Sequence, residues 1–297
     1  MRTTPKIIVV QSIGQIGNRL EQFSHLIAFA KDHRCEIMHL AFWVYADPFK
    51  GTAHDLFLRW PAKPSDWVRK ELQRLTYLAF RGAYQLGMLR WVPLAVIVHH
   101  PWDGGAFDLG SPDFVALTKS KKWIFLVGAW KHRYWENYEA HIELTREHFA
   151  LIPEIDQRVK SHFAPIRQAG DIIVGMHIRQ GDNFTDPVRR DAFTTDEYLK
   201  VMRQIPALFP GKKVVFLVCS NLKQGDEIFG DLTVFRGPGD FIEDMYSLAE
   251  CDYICGAGQS SFSGWASLMG EKPRYGLFDP DKTVTLDDFV VCKGLED

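Results

Sequence analysis

The sequence predicts an α/β protein built on parallel sheets, and three observations carry that prediction. Short apolar runs of strand length alternate with stretches of helical period along much of the chain. Several of the runs end in glycine, serine or polar clusters that open directly into a helix, as at residues 14–18 and 258–261. The runs at 7–10 and 214–219 are continuously apolar, which suits strands covered on both faces.

In chain order, residues 6–11 read as a buried strand and Gly14-Gln15-Ile16-Gly17-Asn18 as a glycine turn. A helix follows, because Leu20, Phe23, Ser24, Ile27, Ala28 and Lys31 recur at intervals of three and four with the apolar ones on one face. Residues 36–40 form a short strand, and 47–64, rich in aromatics, Pro and Gly, a loop. Residues 67–89 are a basic helical stretch carrying Arg69, Lys70, Arg74 and Arg81. A strand at 124–130 and a helix at 135–149 come next, after which Pro153 and Pro165 punctuate the chain. Beyond Gly170 the alternation sharpens. Residues 171–178 are a strand, Thr195 caps a helix over 197–205, and 213–219 and 234–235 are strands. Then come a helix at 240–249, a strand at 253–256, a turn at 258–261 and a helix at 262–269.

At 297 residues, 46% hydrophobic and 24% charged, the chain can bury a sizeable core and is not a disordered polymer. Its 35 Lys+Arg against 37 Asp+Glu leave a net charge of −2, which argues against nucleic acid as the main partner. No apolar run approaches the ~18 residues that span a bilayer. Residues 1–6 lead into Ile7-Ile8-Val9-Val10 without the features of a signal peptide, so a cytoplasmic location is expected. The five cysteines are odd in number and scattered, and Cys35, Cys219, Cys251 and Cys255 lie in apolar company, which suits reduced, buried thiols. Two domains of ordinary size fit the length, with the boundary near 164–170, giving 1–165 and 166–297.

In open α/β sheets ligands bind off the carboxyl ends of strands, and three segments have that position. The first is Gly14–Asn18, where two glycines permit close backbone approach ahead of a helix N-terminus, although a tight turn needs no ligand. The second is His177-Ile178-Arg179-Gln180-Gly181-Asp182. In an extended segment His177 and Arg179 project to one side, and an imidazole with a guanidinium fork suits a diphosphate. An Arg179–Asp182 ion pair with a packed His177 is the structural alternative. The third is Gly258-Gln259-Ser260-Ser261-Phe262, whose hydroxyls and free amides make either an anion cradle or an ordinary helix cap, Ser261 being the residue that would cap. Asp244, Tyr246 and Asp252 complete the polar set, with Glu243 and Asp244 also placed to stabilise a helix dipole. No acid cluster and no strand-end Asp-x-Asp suggests a metal site.

Together these segments resemble the fucosyltransferases that use GDP-fucose, in particular bacterial α-1,2-fucosyltransferases and their α-1,6- and protein O-fucosylating relatives. Gly14-Gln15-Ile16-Gly17-Asn18-Arg19-Leu20, with Gln22 and Phe23, is similar to the family's opening Gly-x-Gly-Asn-x-Leu-x-Gln turn. Val174-Gly175-Met176-His177-Ile178-Arg179, with Gly181 and Asp182, resembles its His-x-Arg-x-Gly-Asp hallmark. Residues 242–248, Cys251-Asp252 and Ser260-Ser261-Phe262-Ser263, with Trp265, resemble its final motif. Order and spacing agree, while 48–123 has no counterpart.

The resemblance implies a GT-B fold with two Rossmann-like domains facing across a cleft, residues 1–165 on the acceptor side and 166–297 binding the GDP-sugar. It implies inverting, metal-independent transfer of fucose from GDP-fucose to a glycan hydroxyl, α-1,2 being the expected linkage, with no cofactor beyond the donor. Arg179 inherits the contact to the β-phosphate and His177 lines the donor site. Ser260, Ser261 and Phe262 bind phosphate through their amides, Asp244 is associated with guanine, and Gly14, Gly17, Asn18 and Ser220 complete the donor set. Asp182, Asp186 and Glu21 are the candidates for the base that takes the acceptor proton. Gln180 replaces a frequent second arginine and Gly264 the first of two common tryptophans. Trp43, Tyr134, Trp135 and the segment between Trp60 and Trp91 are candidates to stack on acceptor sugars. The basic segment 69–90 is a candidate for peripheral association with the inner membrane of a bacterium. A transferase using another nucleotide sugar, and a non-catalytic GDP-sugar-binding relative, are the competing readings.

Overall fold

The computed structural model describes residues 4–180 and 193–294, and its internal contacts divide it into two α/β units, Met1–Ile152 and Pro153–Asp297. The first contains, in order, β1 (Lys6–Ser12), α1 (Ile16–His33), β2 (Glu36–Met38), β3 (Arg59–Trp60), α2 (Lys70–Gln85) and β4 (Ala95–His100). It continues with β5 (Phe107–Asp108), α3 (Pro112–Ser120), β6 (Trp123–Gly128), β7 (His132–Arg133) and α4 (Ile142–His148). The main sheet has the order β3-β2-β1-β6-β4, parallel except for β3. Ile7 to Val10 are fully buried at its centre, as expected of a strand covered on both faces.

The second unit contains α5 (Pro153–Ala169), β8 (Ile172–Ile178), α6 (Thr195–Gln204), β9 (Val214–Ser220), β10 (Val234–Arg236) and α7 (Phe241–Ala249). β11 (Tyr253–Ala257), α8 (Ser261–Gly270), β12 (Pro273–Leu277) and β13 (Val290–Val291) complete it. Its sheet has the order β10-β9-β8-β11-β12-β13, parallel up to the antiparallel β13. On β8, Val174, Met176 and Ile178 join the core with Tyr198, Val201 and Met202 of α6. The alternate residues Ile173, Gly175 and His177 therefore face the α7 and α8 side, as strand alternation requires.

The division lies ahead of α5, not at the expected residue 165. α5 runs unbroken through Pro165 and belongs with the second unit. Val159, Phe163 and Ile166 are buried. Arg158 pairs with Glu243 at 2.6 Å and Arg167 with Asp252 at 2.8 Å, on either side of the proline. Packing and ion pairs outweigh the lost backbone bond that proline costs. Asp252 also accepts from the Ile173 amide at 2.8 Å, so it ties α5 to β8 rather than serving the site.

Smaller differences have local causes. Thr194, not Thr195, caps α6, and it forms a capping box with Glu197, whose Oε2 accepts from the Thr194 amide at 2.7 Å. The helix expected over 135–149 is confined to α4, because Glu139–His141 is a 3₁₀ turn. β3 lies within the stretch expected to be all loop, and β4, α3 and β12 have no counterpart in the sequence reading. All five cysteines are free thiols, four of them buried, and burial pushes the Cys35 and Cys255 thiols up to about 12.

Candidate functional site

In the second unit β8 is flanked by β9 on one side and β11 on the other, so the chain leaves β8 in one direction and returns on the opposite side. The carboxyl ends of β8 and β11 are therefore a topological switch point, the position where ligands bind in open α/β sheets. His177 is at that point, paired in register with Cys219 on β9 and Gly256 on β11. Its ring is 7% exposed, stacks on Phe262 with centroids 4.5 Å apart, and places Nδ1 3.2 Å from Ser260 Oγ. Burial, then the nearby Arg179 and Arg274 guanidiniums, lower its pKa to about 3, so the imidazole is neutral at pH 7. Arg179 follows two residues on and is half-buried.

Ser260 is the N-cap of α8, in place of the expected Ser261, and accepts from the Ser263 amide at 3.4 Å. Ser261 and Phe262 are the first two residues of the helix, where amides have no intrahelical acceptor and the dipole favours an anion. The structure thus brings the hallmark segment and the final turn, 83 residues apart at His177 and Ser260, into one place. Beneath them is Arg274 of β12, which the sequence reading missed. Arg274 is 8% exposed and donates Nη2 to the carbonyls of Ala257 and Gly258, and Nε to Ser263 Oγ at 3.0 Å. No carboxylate pairs with it among the described residues. A charge inside the otherwise apolar Pro273–Leu277 run was the signal that could have found it.

At the carboxyl ends of β9 and β10 is a cavity of about 540 Å³ lined by Ser220, Lys223, Gln224, Arg236, Gly237 and Asp244 among others. Asp244, on α7, is 8% exposed, and its Oδ1 accepts from the Gly239 amide at 2.9 Å. Burial raises its pKa to about 6, with the Gly239 bond opposing that shift. Position 237 must be glycine, because a Cβ there would lie 2.3 Å from Asp244 Oδ1 and 2.7 Å from Cys219 Sγ. Ser220 and Asp244 are thus two walls of one cavity. Tyr246, on the same helix as Asp244, is buried at 9% exposure.

Gln180, where the resemblance leads one to expect a second arginine, is buried in a neutral network. Its amide donates to Asn221 Oδ1 at 2.8 Å, its Nε2 to Thr195 Oγ1 at 2.7 Å, and its Oε1 accepts from Gln224 Nε2 at 2.9 Å. The side chain therefore fastens the end of β8 to β9 and α6. Asp182 and Asp186 lie outside the described residues. Among the described residues no group of three or more His, Cys, Asp or Glu is placed to hold a metal ion.

The glycine turn of the first unit is formed as expected between β1 and α1. Gly14 has φ +116°, and a Cβ there would lie 2.9 Å from Trp130, so only glycine fits. Arg19 donates to the Gly14 carbonyl at 2.9 Å. Gly17 is buried and Asn18 half-buried. Glu21 is 2% exposed and pairs with the fully buried Arg133 at 2.9 Å, which removes it as a base open to an acceptor. Gln22 is held between Ser12, His39 and His132. Tyr134 is core, its hydroxyl donating to Asp32 at 2.7 Å, while Trp135 is exposed.

No protein-family model matches the chain, and no curated protein matches its sequence. Solved structures do match. A mutant of Arabidopsis thaliana FUT1 in complex with GDP has a TM-score of 0.60 at 15% identity, covering 96% of this chain and 73% of that one. The chain has the GT-B fold of fucosyltransferases. POFUT1 in complex with GDP matches with a TM-score of 0.55 at 11% identity, over 93% of this chain and 98% of that one. The fucosyltransferase NodZ from Bradyrhizobium, an α-1,6-fucosyltransferase, matches with a TM-score of 0.55 at 17% identity, over 95% and 98%.

Proposed function

We propose that this chain transfers fucose from GDP-fucose to a hydroxyl of a glycan acceptor, inverting the anomeric centre and requiring no metal or other cofactor, with α-1,2 as the linkage. The observation that carries the reading is the cradle at the switch point. Arg179 and Arg274 both act on His177, next to the amides that open α8, and among the described residues no carboxylate pairs with Arg274. The C1–O bond to the β-phosphate breaks as the acceptor oxygen bonds to C1, and the electron pair leaves with the diphosphate. Donors already oriented at that oxygen lower the barrier without reorganising. Neutral His177 acts as a donor or acceptor that orients Ser260, not as a cation. The acceptor proton passes to a base, for which Asp182 and Asp186 are the candidates.

The nucleoside belongs in the cavity walled by Ser220 and Asp244. A carboxylate accepts the two adjacent N–H groups that guanine presents, whereas uracil offers a single N–H between two carbonyls. The first unit is assigned to the acceptor, and the fold likeness to fucosyltransferases that are seen with GDP supports the donor.

The test is ligand linkage followed by turnover. GDP is expected to raise the thermal midpoint, and UDP to leave it unchanged; equal shifts with both would remove the guanine assignment. GDP-fucose incubated with an acceptor glycan array is then expected to yield fucosylated product in EDTA. Protection by GDP with no fucose transferred or released would make the chain a GDP-sugar-binding protein.

A further inference from the structure

The first unit carries an exposed apolar stripe on its helix α2. Helix α2 turns one face inward: Gln73 donates to the carbonyls of Thr52 and Asp55, and Tyr77, Phe80 and Tyr84 pack on the core around Ile8, Val10 and Phe125. The opposite face carries Leu75 and Leu78, 60% and 43% exposed, and leads to Leu86 at 77%. Spacings of three and eight put these three on one outward stripe. The stripe continues into the turn that packs against α2 and β4, where Met88, Trp91 and Leu94 are 56%, 87% and 63% exposed.

Cations border it. Arg74 and Arg81 lie over the rings of Trp43 and Tyr77, at 5.8 and 6.0 Å, and with Arg69 and Arg90 they have no carboxylate partner among the described residues. Lys121 and Lys122 join the far end, since the Lys122 amide donates to the Leu94 carbonyl at 2.9 Å. Glu71 is the one acid on the outward arc of α2. The whole chain carries a net charge of −2, so this positive patch is a local asymmetry.

We infer that this face docks on an anionic lipid bilayer, with Leu86, Met88, Trp91 and Leu94 entering the headgroup boundary and the arginines meeting lipid phosphates. An apolar stripe bordered by cations matches such a surface in both respects. A second copy of the chain would oppose like charges across the same stripe. The helix lies on the membrane and does not cross it: no helix of the described residues is long and apolar enough to span one.

Flotation of the full chain with vesicles tests this. Binding is expected to vesicles of mixed phosphatidylglycerol and phosphatidylcholine, to weaken with salt, and to be absent with phosphatidylcholine alone. Arg74→Glu with Arg81→Glu, and separately Trp91→Ser with Leu94→Ser, are each expected to lower the partition about tenfold or more. These variants should keep the wild-type thermal midpoint and GDP shift, which separates failure here from failure of the donor assignment. Equal binding to both vesicle types, binding to neither, or variants that float like wild type would overturn the inference. So would a concentration-dependent dimer that the Trp91→Ser, Leu94→Ser variant abolishes.

Discussion

The two units share an architecture and differ in how they treat a buried arginine. In the first, Arg133 is fully buried and pairs with Glu21 at 2.9 Å, close to a polar network in which Gln22 links Ser12, His39 and His132. In the second, Arg274 is nearly as buried, yet only carbonyls and a serine hydroxyl meet it among the described residues. A buried cation left without its own anion is costly. The diphosphate of the proposed donor would supply that anion. The difference teaches that two arginines of similar burial are compensated in different ways, one by a carboxylate and the other by backbone carbonyls and a hydroxyl.

The comparison can be broken most directly by removing each arginine. Arg133→Met strands the Glu21 carboxylate in the core and is expected to cost ~3–5 kcal/mol in urea unfolding. Arg274→Met should cost less stability but weaken GDP binding, measured by titration calorimetry. If both variants behaved alike in both assays, the distinction between the units would fail. Arg179→Ala leaves the fold intact and is expected to lower transfer ~10²–10³-fold, read from fucosylated product over time. Near-wild-type turnover would refute its assigned role.

Acid should sharpen the contrast. His25, His39, His132 and His148 of the first unit have pKa values lowered to about 3, chiefly by burial, while the second unit has His177 lowered in the same way. Each is neutral when folded but takes a proton in the unfolded chain below about pH 6.5, so each loses up to ~1.4 kcal/mol of stability per pH unit between 6.5 and 3. Asp244, raised to about 6, acts oppositely, regaining stability as pH falls from 6 towards 3.8. Hydrogen exchange at pH 5 is therefore expected to open the first unit before the second. Simultaneous opening would contradict this. The smallest effect is on the nucleotide: GDP affinity should fall about tenfold from pH 7.5 to 5 as Asp244 protonates, and Asp244→Asn should bind weakly without that pH dependence.

Much of the second unit was legible because its signals are local. The strand at 171–178, the turn at 258–261 and the helix after it follow from apolar runs, glycine and capping residues within a few positions of one another. The first unit was harder. β4 follows Pro93 with no period that separates strand from helix, and β3 is two residues inside a stretch full of turn formers.

By itself the sequence determined the strand-to-helix turns and the placing of His177 and Arg179 two residues apart at a strand end, because short-range sterics and periodicity decide these. Tertiary structure decided the rest. It carried α5 through Pro165, moved the cap to Thr194, locked Gln180 among neutral partners, paired Glu21 with Arg133 and left Arg274 with no such acid among the described residues. Those outcomes depend on which distant groups share a low-dielectric interior, and the energy of a buried charge is set by its neighbours in space rather than along the chain.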